Sequence, residues 1–191
     1  MLRILPLVAR AAHIRYKGLR CPKSAIPATH TPAPGKKLRR LLAKKARKSR
    51  AQLSGSRVNY TEATWPKGRW PNFAFNELAC SETGECEMDE AFMDRLQLLR
   101  NHYGQPLRIT SGYRSPAHSI EAAKKTPGTH AKGRAVDIAC AGVDAYDILA
   151  EALVCGFTGI GVKQKGEHRF LHLDDLGPGE HSVPRPSIWS Y

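Results

Sequence analysis

Charge divides this 191-residue chain into two unequal parts before any motif is read. Residues 1–70 hold 18 Lys and Arg against a single acid, Glu62, a balance of +17. Residues 71–191 hold 12 Lys and Arg against 16 acids, a balance of −4. The net charge of +13 therefore belongs to the first third. That third contains a proline-rich stretch from Ile26 to Gly35 and a dense basic run from Lys36 to Arg50, with no sustained apolar period. Such composition buries too little apolar surface to offset the entropy of ordering the chain. Residues 1–70 are thus expected to form a basic, largely disordered tail, and the folding problem reduces to the remainder. Within the run, Leu38, Leu41, Leu42 and Ala46 have helical spacing. An anionic polymer (nucleic acid, membrane lipid or wall polymer) is the partner such a segment would meet, through a salt-sensitive contact. The mildly acidic remainder argues against a specific nucleic-acid partner. After Arg3, the apolar stretch Ile4–Ala9 is cut short by Arg10, below the ~7–15 residues of a signal-peptide core. No apolar run reaches the roughly 18 residues of a transmembrane segment. Compartment and oligomeric state are left open.

Downstream, apolar periodicity places the elements. Met88, Phe92, Leu96, Leu99 and Tyr103 share one helical face, with Asp89 and Glu90 in the first turn and Gly104 after the last. Pro106–Thr110 reads as a short strand, residues 112–133 as loop, and Ala135–Ala139 as a strand. Asp144–Cys155 reads as a second helix, with Ile148, Leu149, Ala152 and Leu153 inward and Gly156 as its stop. Gly159–Val162 and Arg169–Asp174 read as two more strands. The expected class is α+β: a small, mainly antiparallel sheet with flanking helices. Order is expected to begin near Trp70–Phe73, giving a domain over 71–180 and an extension over 181–191. Of the five cysteines, Cys140 and Cys155 sit among apolar residues and read as core side chains. Cys80 and Cys86 are close enough to pair or to bind a metal, or are simply buried.

Three chemistry-bearing residues stand on or beside the short strands. His130 and Asp137 belong to GTHAKGRAVDIA, residues 128–139, and His172 belongs to RFLHLDDL, residues 169–176. Catalytic zinc takes imidazole nitrogen and carboxylate oxygen from three protein ligands and keeps one position open. Two His and one Asp meet that count. Gly133 allows a tight turn between His130 and the strand of Asp137, and the small Ala135 allows a neighbouring element to approach. Val136 and Ile138 point away from Asp137, and Leu171 and Leu173 point away from His172, as the two-residue period of a strand requires. Phe170 and Asp174 share the face of His172. Spacing alone does not bring His172 to the other two.

The pattern His130-x-x-Gly133-x-Ala135-x-Asp137 resembles the HxxGxAxD signature of the zinc D-Ala-D-Ala carboxypeptidases and the murein endopeptidases related to them. Ser111-Gly112-Tyr113-Arg114-Ser115 resembles their upstream SGYRS motif, and His172 resembles the third ligand. The resemblance covers about residues 72–176, in matching order and spacing, and is nearest in kind to C-terminal peptidase domains of phage and prophage proteins. It implies a hedgehog/DD-peptidase-like fold and Zn2+ held by His130, Asp137 and His172. It also implies hydrolysis of peptide bonds in peptidoglycan stem peptides, as a carboxypeptidase or an endopeptidase. Arg114 would hold the substrate's terminal carboxylate by a bidentate grip.

The chain departs from the pattern at one point. Many such proteins carry Asp or Glu three residues before the last His ligand, where this chain has Arg169. Glu167 and His168 are the nearest candidates for the general base. Strand alternation would set His168 on the face of His172, while the loop after Gly166 would let Glu167 swing in. The missing acid also supports an alternative, a non-catalytic zinc module that grips cell-wall peptide or a protein, since hedgehog domains share the metal pattern. Asp174 is a candidate to orient a ligand. His118 reads as a solvated loop residue and His102 as a cap of the first helix.

Overall fold

A computed structural model describes residues 55–191. The proline-rich stretch, the basic run and the N-terminal segment, with the polymer contact expected of them, lie outside the described residues. Among the described residues, no helix is long and apolar enough to cross a membrane.

Folded structure starts earlier than the sequence suggests. Strand β1 (Arg57–Tyr60) pairs antiparallel with β2 (Cys86–Asp89), with Arg57 opposite Asp89 and Tyr60 opposite Cys86. Tyr60, Trp65 and Trp70 are buried and pack ring to ring, with centroids 5.2–5.7 Å apart. The boundary of the basic tail at residue 70 is thus corrected: residues 55–70 belong to the folded unit. A four-residue strand followed by turns has no period to detect, and its three aromatics meet only in space. The short helix α1 (Phe75–Leu78) follows and buries Leu78.

The first long helix, α2, runs from Glu90 to Tyr103. Met88 and Asp89 belong to β2 instead of the helix, because the Asp89 side chain caps it, accepting from the Phe92 amide at 2.9 Å. Gly104 ends it in the left-handed conformation, with φ 72°. The second long helix, α4 (Val143–Val154), follows a short α3 (Ser119–Ala122). Ala145, Ile148 and Ala152 are its buried residues. Leu153, expected inward, is 52% exposed.

The main sheet has five strands in the order β3-β4-β6-β5-β7. These are β3 (Ile109–Ser111), β4 (Ala135–Ala139), β5 (Gly159–Lys163), β6 (Phe170–Asp174) and β7 (Ser187–Ser190). All pairings are antiparallel except β5 with β7. The last strand is a second correction: the segment expected as an extension supplies a sheet edge. One face of the sheet, with Val136, Ile138, Ile160, Leu171 and Leu173, joins Phe92, Met93, Leu96, Leu99, Ile148 and Ala152 in a single core. Each fully buried side chain of this kind contributes about 1.5–3 kcal/mol. The opposite face carries Asp137, His172 and Asp174. Cys80, Cys86 and Cys155 are buried free thiols, and Cys140 is half-buried and free.

Candidate metal centre

Asp137 and His172 face one another across the β4–β6 ladder as direct register partners. His130 arrives from a single 3-10 turn, His130–Lys132, that ends at Gly133. Gly133 has φ 67°, and a Cβ there would collide with the Glu87 carbonyl. Its own carbonyl accepts from the Asp89 amide at 3.0 Å. The tight turn read from the sequence therefore doubles as a close backbone approach to β2.

Three donor atoms converge. His130 Nε2 lies 3.2 Å from His172 Nδ1, which lies 2.9 Å from Asp137 Oδ1; His130 Nε2 and Asp137 Oδ1 are 3.4 Å apart. Ligands of a tetrahedral zinc, at about 2.0–2.1 Å from the ion, stand about 3.3 Å from one another. The triangle has the size of one face of that tetrahedron, so the three residues fit a cation. Among the described residues, these three are the group of His, Cys, Asp and Glu side chains arranged to hold a metal.

The rings are held so that the right nitrogen faces inward. His130 Nδ1 donates to the Gly112 carbonyl at 2.7 Å, which leaves the Nε2 lone pair for a cation. Burial pulls the His130 pKa below its ordinary value despite Asp137, favouring the neutral form that ligates. His172 presents Nδ1 to the triangle and directs Nε2 toward Asp174 Oδ2 at 3.3 Å, with Thr129 Oγ1 at 3.4 Å. Burial alone would raise Asp137, but hydrogen bonds and charge from the two imidazoles outweigh it and hold the carboxyl well below its usual range.

The Ser111–Ser115 block proves to be a cradle. Gly112 is required because a Cβ there would come within 2.5 Å of the Leu78 carbonyl oxygen. Tyr113 is buried, its amide bonded to Leu78 O at 2.7 Å and its hydroxyl donating to Glu87 at 3.2 Å. Arg114 donates from Nε to Ser111 Oγ at 3.0 Å and from Nη2 to Asp137 Oδ2 at 2.9 Å, the oxygen that faces away from the triangle. Nε and one N–H of Nη2 are thus committed to the protein. Nη1 and the second N–H of Nη2 remain for the two-toothed grip on a substrate carboxylate expected of Arg114.

Glu167, His168 and Arg169 are exposed in the turn between β5 and β6. His168 has φ 50° and lies outside β6, so strand alternation does not extend to it. Neither Glu167 nor His168 forms a hydrogen bond to His130, Asp137 or His172. Both line an open groove of about 710 Å³ with Arg108, Thr110, Lys163 and Phe170. Phe170 shares the sheet face of His172, so the groove continues that face beyond the ligands. His118 is buried, not solvated: its Nδ1 caps α3 at the Ile120 amide, 3.1 Å, and its Nε2 lies 3.3 Å from Glu82. His102 reaches Glu151 across α4 at 3.2 Å.

Sequence reasoning missed two neighbours of the site, Arg185 and Trp189. Arg185 is buried against Asp174, and the Trp189 ring lies 5.4 Å from the His172 ring. Their only signal in the sequence is the β-prone run Ile188–Tyr191 behind a proline-flanked arginine.

A family model described as Peptidase M15 matches residues 71–174, more than half of the chain. The chain belongs to the Peptidase M15 family. A search of curated proteins finds no match. M15 peptidases are typically zinc-dependent, and the matched segment contains His130, Asp137 and His172 and ends two residues beyond the last of them. Membership supports a metallopeptidase acting on a peptide.

Proposed function

We propose that this M15 peptidase hydrolyses peptide bonds in peptidoglycan stem peptides with Zn2+ held by His130, Asp137 and His172. The observation that carries the reading is the triangle of donor atoms, with sides of 2.9–3.4 Å, the size of one face of a zinc tetrahedron. The chemistry zinc supplies at such a site is polarisation of the scissile carbonyl and acidification of a water. The protein's own residues do the rest. His130 and His172 keep inward lone pairs through their outer hydrogen bonds to Gly112 and Asp174. Arg114 locks the Asp137 carboxylate and offers Nη1 to an anionic group of the substrate. Glu167 takes the proton from the attacking water, with His168 as the rival; their support is their place along the groove that extends the ligand face.

Zinc-loaded protein incubated with purified murein should release D-alanine or split cross-linked stem peptides, read by mass spectrometry. Fully loaded protein that leaves every murein peptide intact would sink the proposal.

A second reading, a non-catalytic zinc module that binds wall peptide or protein, draws on one observation. No acid stands three residues before His172, and neither nearby candidate touches the ligands. Zinc-loaded wild type that cleaves no murein peptide favours this module; where the wild type cleaves, a Glu167→Gln, His168→Ala double variant tests the base. A fall in kcat with unchanged zinc content favours the hydrolase with a base in this turn, whereas full activity removes both bases from the mechanism.

A further inference from the structure

The match to the family ends at Asp174, yet the shell behind the metal centre continues past it. Arg185 has a side chain only 2% exposed. Its Nε donates to Asp174 Oδ1 at 2.9 Å and its Nη2 to Oδ2 at 2.7 Å. Its Nη1 is used by Ser187 Oγ at 3.2 Å and by the carbonyls of Pro184 and Val183 at 3.3 and 3.4 Å. Asp174 Oδ1 also accepts from the Leu176 amide at 3.2 Å, while Oδ2 faces His172 Nε2. The Trp189 ring lies 5.4 Å from the His172 ring and 5.1 Å from the Arg185 guanidinium carbon. Two glycines of β5 make room for this layer. A Cβ at Gly159 would collide with the Asp174 carboxylate, and one at Gly161 would stand 2.8 Å from Trp189. Five residues, from β5, β6 and the C-terminal segment, are thus fitted around the outer side of a single imidazole.

We propose that Arg185 is a positioning residue of the metal centre. It fixes both oxygens of Asp174, and Asp174 in turn holds His172 as the Nε2–H tautomer with Nδ1 turned toward the cation. The proposal rests on the zinc reading of the triad. A carboxylate behind a ligating histidine raises its basicity and fixes its ring, and losing such a partner typically weakens metal binding 10–100-fold. What this chain adds is a buried arginine, delivered by its last strand, that holds the carboxylate itself. Lysine offers one point of attachment where the guanidinium offers a fork.

The test uses the full chain and zinc alone. Zinc affinity is measured by competition with a chromophoric chelator for wild type, Arg185→Met, Arg185→Lys and Asp174→Asn, with melting curves to show that each is folded. The expected result is about 10–100-fold weaker zinc binding in Arg185→Met and Asp174→Asn, with Arg185→Lys in between. Folded Arg185→Met binding zinc within twofold of wild type would overturn the proposal. Wild-type protein supplies a check that needs no variant to fold: its imidazole ¹⁵N–¹H correlations should show His172 protonated at Nε2, and an Nδ1–H tautomer overturns the idea outright. The peptidase reading is judged separately. If murein stays intact while Arg185→Met loses zinc affinity, the hydrolase fails and the positioning role is supported. If murein is cleaved but all four proteins bind zinc alike, only the positioning role fails.

Discussion

The two histidines of the centre are held by different kinds of chemistry. His130 is anchored by main chain: its outer nitrogen donates to the Gly112 carbonyl, and its turn is pinned where Gly133 meets β2. His172 is anchored by side chains: its outer nitrogen addresses Asp174, which Arg185 grips. A backbone carbonyl cannot be removed by substitution, so the His130 side is vulnerable only through the glycines that let the chain approach. The His172 side can be tuned one side chain at a time. The first arrangement fixes geometry and the second can adjust how strongly a ligand binds.

Removing a ligand from either side should erase the comparison altogether. His130→Ala, Asp137→Ala and His172→Ala are each expected to abolish stoichiometric zinc binding, measured by metal analysis after dialysis, and hydrolysis with it. Retention of one zinc per chain by any of the three would move the centre elsewhere. The next largest effect should fall on stability. Gly133→Ala places a Cβ in a left-handed conformation and against the Glu87 carbonyl, at a cost of about 2–4 kcal/mol. Chemical denaturation should show it, with zinc binding weakened in step because the turn carries His130. A variant as stable as wild type would mean that the β2 contact is not what sets this turn.

Arg114 sharpens the comparison from the middle, since it reaches Asp137 and not either ring. In Arg114→Lys one of the two hydrogen bonds must go. A charge-assisted bond is worth about 1.5–3 kcal/mol, so zinc affinity should fall by about tenfold or somewhat more. If Nη1 also grips the substrate, kcat/KM for a substrate with a free C-terminal carboxylate should fall further than for its amide. Equal losses on the two would leave Arg114 as an anchor for Asp137 alone.

The same contrast explains what the sequence makes legible. The His130–Asp137 segment is read easily because its constraints are local: a glycine where φ is positive, and alternation in β4 that buries Val136 and Ile138 while turning Asp137 outward. Gly112 and Gly133 appear as motif letters, although what they avoid, the carbonyls of Leu78 and Glu87, is visible only in the fold. The Arg185–Asp174 pair leaves no such mark. Its partners are 11 residues apart in sequence, and β7 joins the sheet by a parallel pairing to β5 that no hairpin announces. Likewise the cluster of Tyr60, Trp65 and Trp70 has no period. Polar character also misleads: His118, in a loop, is buried because Glu82 and the Ile120 amide give its ring partners.

The smallest expected effect concerns the loop that leads into His130. The Glu121 side chain is almost fully buried, bonded to Lys124 at 2.6 Å and to the Gly128 amide at 2.8 Å, two residues before His130. Burial raises its pKa, but Lys124, the Gly128 amide and the more distant charge of Arg114 outweigh that and bring it below the ordinary value. A carboxyl depressed in the folded state adds stability above its unfolded pKa of about 4.3, lost as pH falls through the lower folded value. Acid should therefore loosen residues 119–128 below about pH 4.3. Glu121→Gln should remove that part of the acid response and cost about 1.5 kcal/mol at neutral pH. Hydrogen exchange at the Gly128 amide reads both. If that amide exchanges equally slowly in the variant, His130 owes its placement wholly to the carbonyl of Gly112 and the turn at Gly133, and the main-chain anchor stands without help from the loop before it.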